Sequence, residues 1–240
     1  MSGRTLNPKD LVKYVNSPET VIFKKGQLLY HLNEALSDIR MSKQVVLYEG
    51  FFDVISSYSA GVKNGVATMG TALTTQQAKL IKNVTQSVIV AYDGDSAGLK
   101  AIDHAIPVLE REQLKVEVLT IPEKMDPDDF VKAYGPEKFE MLFGEYTKDA
   151  YAFRYDYYKR GKNLKDANDM KAFKKQVMTM VRSSDASIRG FYVQKLAQDL
   201  NIPIESLQVR QNVPFREPVI PKIEKPKMLD RHEKAERYLI

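Results

Sequence analysis

Between residues 44 and 121 the chain alternates short apolar runs with stretches whose apolar residues recur every three to four positions. The segments "QVVLYEG" (44–50), "NGVATMG" (64–70), "SVIVAY" (87–92) and "KVEVLTI" (115–121) have the brevity and β-branched content of strands. Helical patterns lie between them. "FFDVISSYSAG" follows the first strand, and "TTQQAKLIKNV" opens on a capping threonine. "GLKAIDHAIPVLERE" carries Leu99, Ile102, Ile106 and Leu109 at helical spacing, with Pro107 expected to kink or stagger it. "DPDDFVKAYG" reads as a short helix with Pro127 at its first position and Gly135 at its end. Strand–helix alternation with such short connections predicts an α/β fold, a parallel sheet covered on both faces.

From about residue 145 the strand pattern stops. "KDAYAFRYDYYKR", "DMKAFKKQVMTMV" and "SIRGFYVQKLAQDL" are helical, and Met170, Phe173, Val177 and Met180 share one face that reads as core. "NVPFREPVIPKIEKPKM" has the proline and lysine content of a linker, and "LDRHEKAERYLI" reads as the start of a further helix. The expected organisation is therefore a partial N-terminal segment (1–43), the α/β unit (44–144), a helical subdomain (145–208) and a linker with the start of another region (209–240). Both ends look incomplete, so the chain is expected to be an excised piece of a longer protein.

Composition narrows the chemistry. The 240 residues include no cysteine, which excludes disulfides and thiolate metal sites, and the three histidines (His31, His104, His232) are scattered. No apolar run approaches the roughly 18 residues of a membrane span, and "MSGRTLNPKD" lacks a signal-peptide core, so a cytoplasmic location without membrane contact is the default expectation. The net charge of +5 is unevenly spread. Residues 1–43 carry 7 Lys/Arg against 4 Asp/Glu, residues 44–144 carry 9 against 14, and residues 145–208 carry 12 against 8. An acidic centre between basic flanks suits a cation site beside a polyanion-binding surface.

The carboxylates fall where such a site would form. Ligands of open parallel sheets bind outside the carboxyl ends of the strands. Glu49 ends the first strand, Asp93 and Asp95 end the third, and Asp126, Asp128 and Asp129 lie in the connection after the fourth. Asp53 follows Glu49 by four residues, so the two are expected to share a helical face, an unfavourable pairing unless a cation compensates. Each group also has a plainer reading. Asp126 fits a helix cap with Asp128 and Asp129 favouring the dipole, Glu49 a solvated strand end, and "DGD" a common turn. Their conjunction at one edge, with oxygen ligands only, points to Mg²⁺ or Mn²⁺ and hence to phosphates. Gly50, Gly94 and Gly98 are expected to let backbone approach a phosphate closely.

In this order and spacing, "YEGFFDVIS", "ATMGTALT", "YDGDSAG" and "MDPDDFVKAYG" closely resemble the Toprim domain of bacterial DnaG-type DNA primases. The upstream "KYVNSPETVIFKKGQLLYHL" resembles the basic segment that precedes Toprim in those primases and separates them from topoisomerases, recombination mediators and nucleases. The resemblance covers about residues 4 to 210, with its strongest motifs ending at residue 135. "EKAERYLI" resembles the entry to the helicase-interacting region. The family's zinc-binding module and the first part of its basic subdomain have no counterpart here.

This resemblance implies a Toprim-type sheet with flanking helices, a partial basic subdomain before it and a helical subdomain after it. It also implies a catalytic core that makes short RNA primers on single-stranded DNA from ribonucleoside triphosphates. By motif, Glu49, Asp93 and Asp95 match the catalytic acids, and Asp53, Asp126 and Asp128 match further metal-site acids. Arg4, Lys13, Asn16, Lys24 and Lys25 match the segment that holds template or nucleotide phosphates. The implied cofactors are two or more Mg²⁺ or Mn²⁺ ions, with no zinc in this piece. The implied partners are template, RNA primer, nucleotides and a replicative helicase reached through the missing C-terminal region; the piece itself is expected to be monomeric and to act at the replication fork in the nucleoid. The rival readings are another Toprim enzyme, such as a nuclease or topoisomerase fragment, and a non-catalytic nucleotide-binding regulatory domain. None of the 13 tyrosines sits in a context recognisable as a topoisomerase nucleophile, and a P-loop signature is absent.

Overall fold

The computed structural model describes residues 2–4, 14–16, 19–21 and 23–207, with side chains described from residue 19 onward. Lys13 and the expected linker and terminal helix after residue 208 lie outside the described residues. Strands β1 (Ser2–Arg4) and β2 (Tyr14–Asn16) pair antiparallel, with Arg4 opposite Tyr14 and Asn16 opposite Ser2. A 3₁₀ turn (Lys25–Gln27) and helix α1 (Leu32–Ser42) lead into the α/β unit.

The four expected strands form as β3 (Val45–Tyr48), β4 (Gly65–Ala67), β5 (Ser87–Val90) and β6 (Lys115–Leu119), all parallel. A fifth, β7 (Thr147–Asp149), pairs antiparallel with β6, giving the order β4-β3-β5-β6-β7. This edge strand departs from the expectation that strands end by residue 145. Its three residues are polar and largely exposed, so neither alternation nor β-branched content marks it.

The period-2 geometry of the strands divides the core in two. Val45, Leu47, Val88, Val90, Val116 and Val118 face one side. There they meet α1, α3 (Thr75–Val84), α4 (Ser96–Arg111) and α7 (Ala150–Lys159) through Ile39, Ile81, Ile102, Ile106 and Phe153. Val46, Tyr48, Ile89 and Leu119 face the other. They are covered by Val54 of α2 (Phe51–Ser59), Phe130 of α5 (Pro127–Tyr134), and Phe139 and Leu142 of α6 (Pro136–Glu145). The sheet is therefore covered on both faces, as its continuous apolar strands require.

Helix α4 runs from Ser96 to Arg111 without interruption at Pro107. Pro107 removes only the amide bond that would reach Asp103, and Ile102, Ile106 and Leu109, buried on either side of it, hold the helix against the sheet. A third core joins α7 to α8 (Ala167–Met180) and α9 (Ala186–Leu200). Phe173, Val177 and Met180 are buried there and Met170 packs against them, which is the core role their spacing predicts. Helix α7 is tied to α4 by Asp103, which accepts from Arg154 Nε and from the Tyr158 hydroxyl, both at 2.9 Å.

Candidate active site

The carboxyl ends of β4, β3, β5 and β6 line up along one edge of the sheet, and a cleft of about 620 Å³ opens there. Read across the sheet, its lining passes from Met69 and Gly70 after β4, through Glu49, Gly50, Phe51, Phe52 and Asp53 after β3, to Asp93 after β5. Asp126, Asp128, Asp129 and Lys132 close it after β6. Acids from three separate strand ends thus meet in one cleft.

Local backbone chemistry sets each group in place. Gly50 is the N-cap of α2, so Glu49 stands before the helix and does not share a helical face with Asp53, contrary to the spacing argument. Asp53, 7 % exposed, is the third residue of α2, and its Oδ2 accepts the Gly50 amide at 3.0 Å. The Glu49 carbonyl accepts from the Met69 amide at 3.1 Å and the Gly70 amide at 3.3 Å. Met69 reaches this position only in the left-handed region, at φ 64°. The "ATMG" segment therefore clamps the backbone that presents the glutamate.

The "DGDSAG" turn is built by close packing. A Cβ on Gly94 would stand 2.3 Å from the Ile121 carbonyl oxygen, and the Gly94 amide donates to the Met125 carbonyl at 2.9 Å. A Cβ on Gly98 would stand 2.2 Å from the Asp93 carbonyl oxygen. These two glycines are explained by contacts within the chain: Gly94 seats the turn on the loop that carries Asp126, and Gly98 seats α4 against the turn. A Cβ on Gly50 would meet only the Asp53 side chain, at 2.9 Å.

Asp95 caps α4, accepting the Gly98 amide at 2.8 Å, and is exposed just outside the cleft lining. Asp126 likewise caps α5, accepting the Asp129 amide at 2.6 Å, so its plainer reading is correct as far as it goes. Capping uses one oxygen of each carboxylate. Asp126, Asp128 and Asp129 still bring one oxygen each within 4.8 Å of one another, a grouping able to hold a metal ion. Asp129, counted among the acids at the sheet edge but not among the metal-site acids that the resemblance implies, joins this grouping. Asp128 accepts from the Ser56 hydroxyl, joining α5 to α2, and from Lys132 Nζ.

The electrostatics are those of an anionic site with too few cations. Burial, then the Asp93 charge, raises the Asp53 pKa to about 7. Burial, then Glu49 and Asp126, raises Asp93 to about 6. Burial and then Asp95 raise Glu49, while burial raises Asp126 against the opposing Asp129 amide. Lys132 is the single basic residue in the cleft lining among the described residues. An all-oxygen donor set whose members hinder one another's ionisation fits a hard divalent cation.

The expected phosphate-holding residues are only partly placed. Arg4 and Asn16 sit in the β1–β2 pair. Lys24 is exposed at the start of the 3₁₀ turn and Lys25 is half-buried within it. Gln77 Nε2 fastens this turn to α3 by donating to the Lys25 and Leu28 carbonyls at 3.0 and 2.9 Å. Tyr30 then bridges to Ala67 on the edge of β4, which docks the segment on the same side of the sheet as Met69.

Comparison with known proteins gives the chain its relatives. Residues 46–131 match the Toprim-like family, and residues 1–36 match the N-terminal domain of the DNA primase catalytic core. A DNA primase from Listeria monocytogenes is 40 % identical over 209 residues, covering 86 % of this chain and 33 % of that protein. The zinc-binding and RNA polymerase domains of the Aquifex aeolicus primase superpose with a TM-score of 0.65 at 32 % identity, covering 87 % of this chain and 50 % of that one. A DnaG primase catalytic domain bound to single-stranded DNA gives 0.63 at 29 % identity, covering 85 % and 66 %. The chain spans about a third of the length of the curated relatives it matches.

A four-stranded parallel core with a glutamate after one strand, a DxD turn after the next and an aspartate cluster after the third defines a Toprim-type α/β domain. With the primase-specific N-terminal match and the solved catalytic cores beside it, the chain belongs to the bacterial DnaG-type DNA primases.

Proposed function

We propose that the chain is the nucleotidyl-transfer portion of a primase that makes short RNA primers on single-stranded DNA from ribonucleoside triphosphates. The observation that supports this most is the convergence of Glu49, Asp53, Asp93, Asp126, Asp128 and Asp129 on one cleft, with four of the six pushed to raised pKa values. Divalent ions held there, two or more of Mg²⁺ or Mn²⁺, would lower the pKa of an attacking 3′-hydroxyl and neutralise the departing pyrophosphate.

The chain's own residues position the reactants. Asp93, Asp95, Asp126 and Asp128 would provide the oxygens for ions that accompany an incoming triphosphate. Glu49, whose backbone carbonyl is clamped by the Met69 and Gly70 amides, would hold the metal beside the attacking hydroxyl or assist its deprotonation. Arg4, Lys13, Asn16, Lys24 and Lys25 neutralise template or nucleotide phosphates without reading sequence. The related catalytic domain bound to single-stranded DNA supports the template assignment. A replicative helicase as partner and a cytoplasmic site of action follow from the same reading, and no described helix is long and apolar enough to cross a membrane.

The test is primer synthesis by the longer protein containing this chain, with Asp93→Ala and Asp95→Ala separately and together. Loss of metal-dependent ribonucleotide incorporation by variants that still unfold cooperatively supports the assignment; an active double variant overturns it. Mg²⁺-dependent cleavage of labelled DNA, without ribonucleotide-dependent extension, would make the chain a Toprim nuclease instead.

A further inference from the structure

The cleft is chemically two-sided. Its β5–β6 side presents Asp93, Asp126, Asp128, Asp129 and Lys132, whereas its β4–β3 side adds Met69, Gly70, Phe51 and Phe52 to Glu49 and Asp53. Phe52 is 50 % exposed, unusual for a phenylalanine in a cleft otherwise rich in carboxylates. Its ring lies 4.4 Å from that of Phe51, centroid to centroid, at 34°. Phe51 is backed edge-on by Tyr30 at 6.1 Å, and Tyr30 is pinned to β4 by its Ala67 bridge. The exposed ring is therefore one end of a supported aromatic row, so its orientation is held from behind. Met69, held at φ 64°, adds a polarisable side chain to the same wall.

We propose that Phe52, supported by Phe51 and Met69, is the stacking surface for the base of the nucleoside triphosphate whose phosphates lie toward the acidic side. This inference rests on the functional reading above and adds to it the half of the substrate that the carboxylates cannot recognise. A flat apolar base gains from an exposed aromatic face, and every base has such a face, so the contact holds a nucleotide without choosing among the four. An aromatic wall placed next to a cation-demanding wall matches a ligand with a flat apolar end and a polyanionic end.

The test compares two ligands on the same chain, Mg²⁺–ATP and Mg²⁺–tripolyphosphate, which share phosphates and differ in the base. Phe52→Ala is expected to weaken Mg²⁺–ATP by about tenfold and to leave Mg²⁺–tripolyphosphate unchanged. Phe52→Trp restores an aromatic face and, because the chain has no tryptophan, supplies a specific signal. Its fluorescence should be quenched by Mg²⁺–ATP and not by Mg²⁺–tripolyphosphate. If wild type binds the two ligands equally, or if Phe52→Ala weakens both alike or neither, the stacking role is overturned while the acidic site stands. If wild type binds neither ligand at pH 8, the polyphosphate reading fails and the stacking role falls with it.

Discussion

Replacing Asp53 by asparagine should stabilise the metal-free protein at pH 8. Burial is the main cause that raises the Asp53 pKa from its ordinary 3.8 to about 7, followed by the Asp93 charge. The folded state therefore holds the Asp53 proton more tightly than the unfolded chain does. Between about pH 4 and pH 7 folding takes up a proton, so stability falls as the pH rises through that window. Fully expressed, the displacement corresponds to about 4 kcal/mol. Asparagine removes the buried charge but loses part of the hydrogen bonding to the Gly50 and Asp128 amides, a cost of about 2 kcal/mol. The net gain at pH 8 is then about 2 kcal/mol, or roughly 4–8 °C in Tm for a domain of this size. At pH 4 both side chains are neutral and the gain should vanish or reverse. Thermal unfolding of both proteins in chelator, from pH 4 to pH 8, reads this directly. An Asp53→Asn protein that is equally destabilised at both ends of the range would refute the reasoning, because Asp53 would then be a stabilising cap and not a frustrated charge.

Other substitutions test other parts of the account. Gly94→Ala should destabilise by about 1–3 kcal/mol and weaken Mn²⁺ binding, since its Cβ would press on the Ile121 carbonyl; calorimetry and Mn²⁺ titration check both. Asp103→Ala should cost about 3 kcal/mol in denaturant unfolding by leaving Arg154 and Tyr158, which join α7 to α4, without their shared acceptor. Tyr92→Phe should be neutral or stabilising by about 1 kcal/mol in the same assay, because the Tyr92 hydroxyl is buried toward Thr68 without meeting hydrogen-bond geometry.

Much of the fold was legible because its signals are local. Val45–Tyr48 and Ser87–Val90 are buried on both faces, so their sequences are almost wholly apolar, and Thr74 and Pro127 mark their helix starts by capping chemistry. Strand β7 was not legible, because a short polar edge strand exists only through its pairing with β6. The convergence of the acids could be anticipated once the strand ends were placed, since a parallel sheet brings them to one edge. Their fine geometry could not. The Glu49–Asp53 spacing fits a helical face, but Gly50 begins the helix one residue too late for that. The left-handed Met69, bonded to Glu49, and the close packing of Gly94 on Ile121 depend on loops 20 or more residues apart in sequence, which no local pattern records.

The central claim, that the acidic edge of the sheet is a divalent cation site, is tested most directly by Mn²⁺ titration of this chain, followed by electron paramagnetic resonance. Wild type should bind Mn²⁺ at pH 8 and progressively lose it toward pH 5, as protons compete at Asp53 and Asp93, whose pKa values lie near 7 and 6. Asp93→Ala should reduce that binding at least tenfold. Absence of Mn²⁺ binding by wild type at pH 8, or binding unchanged by Asp93→Ala, would contradict the account.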